Sequence, residues 1–464
     1  MRLLRRPRCW RTSTILPWKT SSTRHCPPCP DARAQQTAMK IWIICTGEPV
    51  PFLPDEAGDR FLRAGKLAQH LAAQGHDVTW WTARFDHYGK RQRDVPANTP
   101  IRPAPDGPEM IFLDSIGYQN HMGPRRFFDH WQIGRAFKRL APTLDEPDVI
   151  LAAFPLVETC ANIVAYGRAR GVPTILDVRD LWPDVLYERL AARIGFSTKG
   201  MFVPYEVQCA HAFRGADRVI GITNGMQNWC YDRFGRDERM REVDAVFRQF
   251  KQKPGAVELA DPAHFQFWSD KGVDLNDGRT RLVWSGSIIR DSDGPTLVKA
   301  LDLLPAGIEE RLQVVVCGTG SLLPDLQALA DRRPFLKCVG WVPNAEVNTL
   351  LERSHVGLLC YLDRFDFQMA TPNKVIDYCA AGMRILTNLS GELQTLAPGS
   401  DLIINYPTGG ARALADIIAT IADQPDVYRV KYERARRVFA EEFDATQVMP
   451  AFERYLVATA ETHR

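Results

Sequence analysis

The chain has 464 residues, 45% of them hydrophobic and 24% charged, with a formal net charge of +3. That composition excludes a wholly disordered chain, collagen and a disulfide-dense mini-protein, and at roughly 100–200 residues per domain it leaves room for two or three domains. Charge is uneven: residues 1–38 hold eight Lys or Arg and one acid, and the remainder 50 basic against 54 acidic residues, so no strongly basic domain marks a nucleic-acid binder.

The residues before Met39 show no hydrophobic period. The segment 1–38 is expected to be disordered or an over-extended start, because Met39 runs directly into a first strand. Its Cys26 and Cys29, beside His25, lack the second ligand pair that a zinc site needs. The other cysteines stand singly in apolar stretches, as buried thiols do in a reducing compartment. No run of 18 apolar residues occurs, so no span across a membrane is expected.

From Met39 onward strands alternate with helices. Lys40–Cys45 reads as a strand, Asp59–Gln74 as a helix with Asp59 as N-cap and Gly75 as its stop, and Asp77–Thr82 as the next strand. Met110–Leu113, Val149–Phe154, Thr174–Val178 and Arg218–Thr223 follow. Continuous Val/Ile/Leu runs separated by helices imply a parallel sheet covered on both faces. This gives an α/β domain over residues 39–235, then a polar linker over 236–278. The rhythm restarts with strands at Arg281–Ser285, Gln313–Cys317, Leu336–Val339, Val356–Leu362, Arg384–Thr387 and Leu402–Asn405. These define a second doubly wound domain over 279–445, closed by a helix within 446–464.

Ligands of open parallel sheets sit beyond the carboxyl ends of the strands. The loop Gly47–Gly58 after the first strand lacks the GxGxxG spacing of a dinucleotide site. Gly286-Ser287 and Gly318-Thr319-Gly320 follow the first two strands of the second domain, where backbone N–H groups at a helix start favour phosphate. In Thr371–Gly382 (TPNKVIDYCAAG), Pro372 suits a helix start, leaving Asn373 and Lys374 at its N-terminus. Lys374 can meet a diphosphate as a point charge, and Asp377, three residues on and expected on the same helix face, can accept from ribose hydroxyls or simply be solvated.

These stretches, together with LVWSGSIIR, VVVCGTGS, CVGWVPNAEV and ILDVRDLWPD, resemble the retaining sugar transferases of glycosyltransferase family 4, in particular the bacterial amino-deoxysugar transferases of O-antigen and capsule synthesis. The resemblance runs in order over residues 39–462. It implies the GT-B fold, with two Rossmann-like domains facing across a cleft and a C-terminal helix crossing back to the first. It implies a hexosyltransferase independent of metal and of any bound cofactor, with a nucleotide-diphosphate sugar as co-substrate, UDP being the expected carrier. The acceptor expected is a polyprenyl-diphosphate-linked saccharide, in lipopolysaccharide, capsule or exopolysaccharide biosynthesis. By the same resemblance Asp377 matches the second carboxylate of the family's Glu-x7-Glu motif, while the first falls on Met369. Arg290 matches the basic residue facing the diphosphate, and the Lys-Gly pair that often follows it reads Asp293-Gly294. Gly286 and Gly318 match glycines of the donor pocket, and Val342 falls where backbone meets the base. The His-Asp pair after the strand Thr174–Val178 reads Arg179-Asp180.

Arg290, Lys374, Asp180 and Arg179 are thus the expected catalytic group, and Gly286, Ser287, Gly318, Gly320, Val342, Asn373 and Asp377 the expected donor-binding group. Arg179 could anchor an acceptor phosphate and Asp180 could act as a base, or the two could pair to fix a loop. Asp291-Ser292-Asp293 resembles a metal-binding Asp-x-Asp but stands just before a helix, where acids suit the dipole; no metal is expected. Pro124–Leu140 mixes five cations with four aromatic rings. It can lie on an anionic bilayer or bury its rings with snorkelling arginines. A cytoplasmic protein, peripheral on the inner face of the membrane, is the expectation. A GT-B nucleotide-sugar 2-epimerase and a non-catalytic sugar-nucleotide binder are the alternatives.

Overall fold

The computed structural model describes residues 38–57, 60–105, 107–119, 123–195, 199–289 and 292–463. Readings that fall elsewhere, namely those on residues 1–37, Asp59, Arg290 and Asp291, lie outside the described residues. In the first half, β1 (Lys40–Ile44), β2 (Asp77–Ala83), β3 (Glu109–Leu113), β4 (Val149–Phe154), β5 (Thr174–Val178), β6 (Arg218–Gly221) and β7 (Ala245–Val246) form one sheet. Its order is β7-β6-β5-β4-β1-β2-β3, all parallel, with Pro100–Ile101 added antiparallel at the β3 edge. Every residue of β4 and β5 is buried, as strands covered on both faces must be.

The second half repeats the plan. Its strands β8 (Thr280–Ser285), β9 (Leu312–Cys317), β10 (Leu336–Gly340), β11 (Val356–Leu359), β12 (Arg384–Thr387) and β13 (Ile403–Asn405) lie parallel in the order β10-β9-β8-β11-β12-β13. The strand order of each sheet reverses beside its first strand, which opens a crevice at the carboxyl ends of the strands. These are the two Rossmann-like domains that the resemblance implies.

Helix α1 (Arg63–Ala73) follows β1 and ends before Gly75, whose φ of +92° suits glycine. Its first amides, Ala64 N–H and Gly65 N–H, donate to the Glu48 carboxylate from the preceding loop. Helix α2 (Pro124–Leu140) packs on α3 (Val157–Arg170), which packs on α5 (Val203–Gly215), while α4 (Asp184–Ile194) follows β5. The segment 236–278 carries the edge strand β7 and two helices, Ala256–Leu259 and Pro262–Asp270. Trp268 from the latter is fully buried in the core of the second domain, with its indole N–H on the Glu346 carbonyl (2.9 Å). The C-terminal helix, Ala445–His463, returns to the first domain. Phe452, Leu456 and Ala460 join the core of β1, β2 and α1, and Glu453 binds His70 (2.8 Å) and His76 (3.3 Å). No described helix is long and apolar enough to cross a membrane.

Candidate active site

The two sheets face a cleft of about 1060 Å³ whose walls come from both domains. Arg179, Asp180, Asn373 and Asp377 line it. Gly286, Ser287, Gly318, Gly320, Val342 and Lys374 stand outside its described lining, at the carboxyl ends of β8, β9 and β10 and the start of the helix Asn373–Ala380.

The glycine loops explain themselves through close approach. Gly286 N–H donates to the Cys317 carbonyl (2.7 Å) and Ile288 N–H to the Thr319 carbonyl (2.9 Å), so the two loops run against each other as backbone on backbone. A Cβ on Gly318, at φ +144°, would lie 1.7 Å from the Gly286 carbonyl oxygen, and one on Gly320 2.3 Å from that of Ile288. Only glycine fits. Of the amides after Gly286 expected to meet a phosphate, that of Ile288 is therefore already engaged, as is the Gly286 amide itself. Ser287 is exposed at the tip, and Val342 is buried in the second domain's core behind Trp341, which is 72% exposed.

Lys374 projects from the first turn of its helix toward Gly286. Its Nζ lies 5.5 Å from the Trp284 ring centroid and 5.7 Å from that of Tyr361. It makes no ion pair among the described residues. Burial pushes its ammonium down to about 8, because no carboxylate offsets the lost hydration. An unpaired ammonium between two rings at the carboxyl ends of the strands is a vacant partner for an anion. Against the expectation that it shares a helix face with Lys374, Asp377 one turn along looks into the cleft, where Lys251 Nζ donates to it (2.6 Å) and also to Asn348 Oδ1 (2.9 Å). Lys251 lies in the segment read from sequence as linker, which gave no signal of this contact.

Met369, where the family's first Glu would stand, belongs to the interface between domains. Its side chain packs against the first domain's core, and its carbonyl accepts the Thr223 hydroxyl (2.6 Å). Nearby, the Arg248 guanidinium donates to Glu392 and Glu442 (both 2.9 Å), while Glu392 also accepts the Gly225 amide (3.1 Å). Met369 is thus turned to the partner domain and not to a sugar.

Arg179 and Asp180 do not pair with each other. Arg179 donates to Asp177 (2.7 Å) and Glu48 (2.5 Å), and Asp177 also accepts from Arg63 (2.9 and 3.2 Å). Burial alone would raise the Asp177 carboxyl, but the Arg179 and Arg63 guanidiniums hold it below the ordinary range. Arg179 is thus tied through Nε and Nη1 to two carboxylates, which weakens the expectation that it anchors an acceptor phosphate. The sequence reading missed Glu48 and Arg63. No local pattern marked Glu48, in the loop after the first strand, or Arg63, inside the expected first helix, as partners of Arg179. Asp180 accepts the Leu181 amide (2.8 Å), and burial, with Asp366 opposite, raises its carboxyl. Asp293 of the Asp-x-Asp stretch accepts the Thr296 hydroxyl (2.6 Å) at a helix start.

Comparison with known proteins bears on the fold. Residues 62–244 match the family model described as "Glycosyl transferase 4-like domain". No curated sequence matches the chain. Among solved structures, HepE of Anabaena in complex with UDP is 13% identical, with 90% of this chain and 100% of that chain covered and a TM-score of 0.59. Sucrose-phosphate synthase of Thermosynechococcus elongatus is 14% identical over 90% and 98%, with a TM-score of 0.61. WaaG, a glycosyltransferase involved in lipopolysaccharide biosynthesis, is 13% identical over 90% and 99%, with a TM-score of 0.56. The fold is that of the GT-B glycosyltransferases.

Proposed function

We propose that the protein is a glycosyltransferase that takes a hexose from a nucleoside-diphosphate donor, UDP being the expected carrier, and passes it with retention to a lipid-linked saccharide in surface polysaccharide synthesis. The observation that carries this reading is the unpaired Lys374 ammonium over Gly286, on a fold shared with proteins solved with UDP and UDP-glucose. Breaking the anomeric bond leaves negative charge on the departing diphosphate. A fixed cation at that point stabilises the charge as it develops. Arg290 is the second cation the resemblance assigns to this duty. The acceptor hydroxyl attacks the face that the diphosphate vacates, and its proton passes to a diphosphate oxygen or to Asp180, whose raised carboxyl suits a proton acceptor facing the cleft.

The 2-epimerase reading has one point in its favour: His87, Asp129, His130 and Asp180 all line the cleft. Asp129, however, is already engaged by the Ser115 hydroxyl (2.6 Å) and the Gly117 amide (2.8 Å), which favours transfer. A thermal-shift panel of UDP-, GDP- and dTDP-hexoses tests the donor claim, since ligand binding to the folded form raises Tm. A shift with at least one sugar nucleotide, lost in Lys374→Ala, supports it. A panel without any shift refutes it, and deuterium uptake from solvent at the sugar C2 would point to the epimerase.

The membrane reading rests on the exposed side of α2. Phe128 is 53% and Trp131 45% exposed, their rings 5.4 Å apart, with Arg135 over Trp131 (5.3 Å) and Lys138 and Arg139 also exposed. Rings flanked by cations suit an anionic lipid surface, where a polyprenyl-linked acceptor resides.

A further inference from the structure

One corner of the cleft, around the Tyr118 ring, gathers polar groups that the donor site does not use. Arg126 and His130 are one turn apart on α2, and Arg126 Nε donates to His130 Nε2 (3.4 Å). His130 is only 5% exposed and lines the cleft. Burial, with the Arg126 charge and His87 nearby, lowers the imidazole to about 3, so the ring is neutral. A neutral ring that accepts at Nε2 carries its proton on Nδ1, and Nδ1 has no hydrogen-bond partner among the described residues.

Lys90 shows the same want of a partner. Its backbone takes φ +53°, rare for a residue with a side chain, and its Nζ comes 4.7 Å from the Tyr118 ring centroid and 5.7 Å from that of Phe85. That Nζ is buried without a hydrogen-bond acceptor among the described residues, just behind Tyr88 and Tyr118, which line the cleft. Arg126 Cζ stands 5.5 Å from the same Tyr118 ring and 4.4 Å from Trp182. The carboxylates close by are occupied: Asp129 by Ser115 and Gly117, Asp86 by the Tyr88 amide (2.9 Å) and Arg91 (3.5 Å).

Buried donors in native proteins nearly always have acceptors. Two that lack them, beside a guanidinium and around one aromatic ring, have the chemistry of an oxyanion site. Building on the transferase reading of the cleft, we propose that Lys90, Arg126 and His130 form a second anion subsite, in the first domain, that takes a phosphoryl group of the acceptor. Two cations and a neutral N–H donor match the several oxygens of a phosphate better than the two of a carboxylate. The phosphoryl group has two sources, a prenyl diphosphate or a phosphorylated soluble sugar.

The test uses the full chain and inorganic pyrophosphate as probe, titrated calorimetrically with UDP at saturation so that the donor pocket is filled. Wild type is expected to bind pyrophosphate under these conditions. Lys90→Met, which keeps the stem of the side chain, and His130→Gln should each weaken that binding at least about tenfold without changing UDP affinity. Equal binding by wild type and Lys90→Met, or no binding by UDP-saturated wild type, overturns the subsite. If UDP itself fails to bind, the donor reading falls alone, because pyrophosphate binding to Lys374→Met and to the Lys90→Met/Lys374→Met pair still judges the subsite. Farnesyl diphosphate and glucose 6-phosphate in place of pyrophosphate identify the source. Tighter binding of either, sensitive to Lys90→Met, supports the subsite, and binding of both that ignores Lys90→Met counts against it.

Discussion

Lys374 is an ammonium held at a cost in stability, because burial strips its hydration and no carboxylate among the described residues replaces it. Its folded pKa of about 8 lies below the ordinary 10.5, so the unfolded chain holds the extra proton more readily between those values. Stability contributed at this site therefore rises as pH climbs from about 8 toward 10.5. Lys374→Met should stabilise the fold at pH 7, by about 1–2 kcal/mol in chemical denaturation, and should weaken UDP binding at least about tenfold. In the free wild-type protein the same titration predicts falling nucleotide affinity above pH 8, read by calorimetry across pH. Asp377 differs. Its bond to Lys251 is partly exposed, a class worth about 0–1 kcal/mol, so a ribose can displace it at little cost. Asp377→Ala should leave Tm almost unmoved and lower UDP affinity by about tenfold.

At the scale of elements, the loop after β1, the start of α1 and the end of β5 are joined by one buried ionic network of Glu48, Arg63, Asp177 and Arg179. Removing one partner strands a buried charge, and Asp177→Asn should cost about 3–5 kcal/mol in urea unfolding. Because the Asp177 carboxyl is held low in the fold, its contribution is present above the unfolded value near 3.9 and fades as pH drops below it toward the folded value. Wild type should therefore lose more stability than Asp177→Asn between pH 5 and 2. The paired glycine loops after β8 and β9 make a comparable joint in the second domain. Gly318→Ala places a methyl 1.7 Å from a carbonyl oxygen and should abolish nucleotide-induced thermal shift. These joints were half legible. Small residues at strand ends announced the glycine turns, whereas the partners of Arg179 lie 131 residues upstream and two residues upstream, and no local pattern selects between them and the adjacent Asp180.

Taken whole, the molecule is two similar domains held by a returning helix and by Met369, Thr223, Arg248 and Glu392 between them. Its outer surface carries the exposed pair Phe128 and Trp131 among cations. Replacing both rings with Ser should reduce sedimentation with phosphatidylglycerol vesicles severalfold and leave binding of soluble UDP unchanged. Undiminished sedimentation would remove α2 from membrane contact.

The sequence by itself determined the alternation of strands and helices, their parallel pairing and the two-domain plan. Those follow from local apolar runs, from short-range turn chemistry and from the right-handed crossover that a strand, helix and parallel strand must take. Only the tertiary structure decided which charges are engaged and which stand free. Arg179 and Asp377 look as available in the sequence as Lys374 does, yet two carboxylates hold the first, a lysine from the segment between the domains meets the second, and the third is left between two rings. Coulomb pairing depends on distance through space. Along this chain the partners are separated by anything from two residues to more than a hundred.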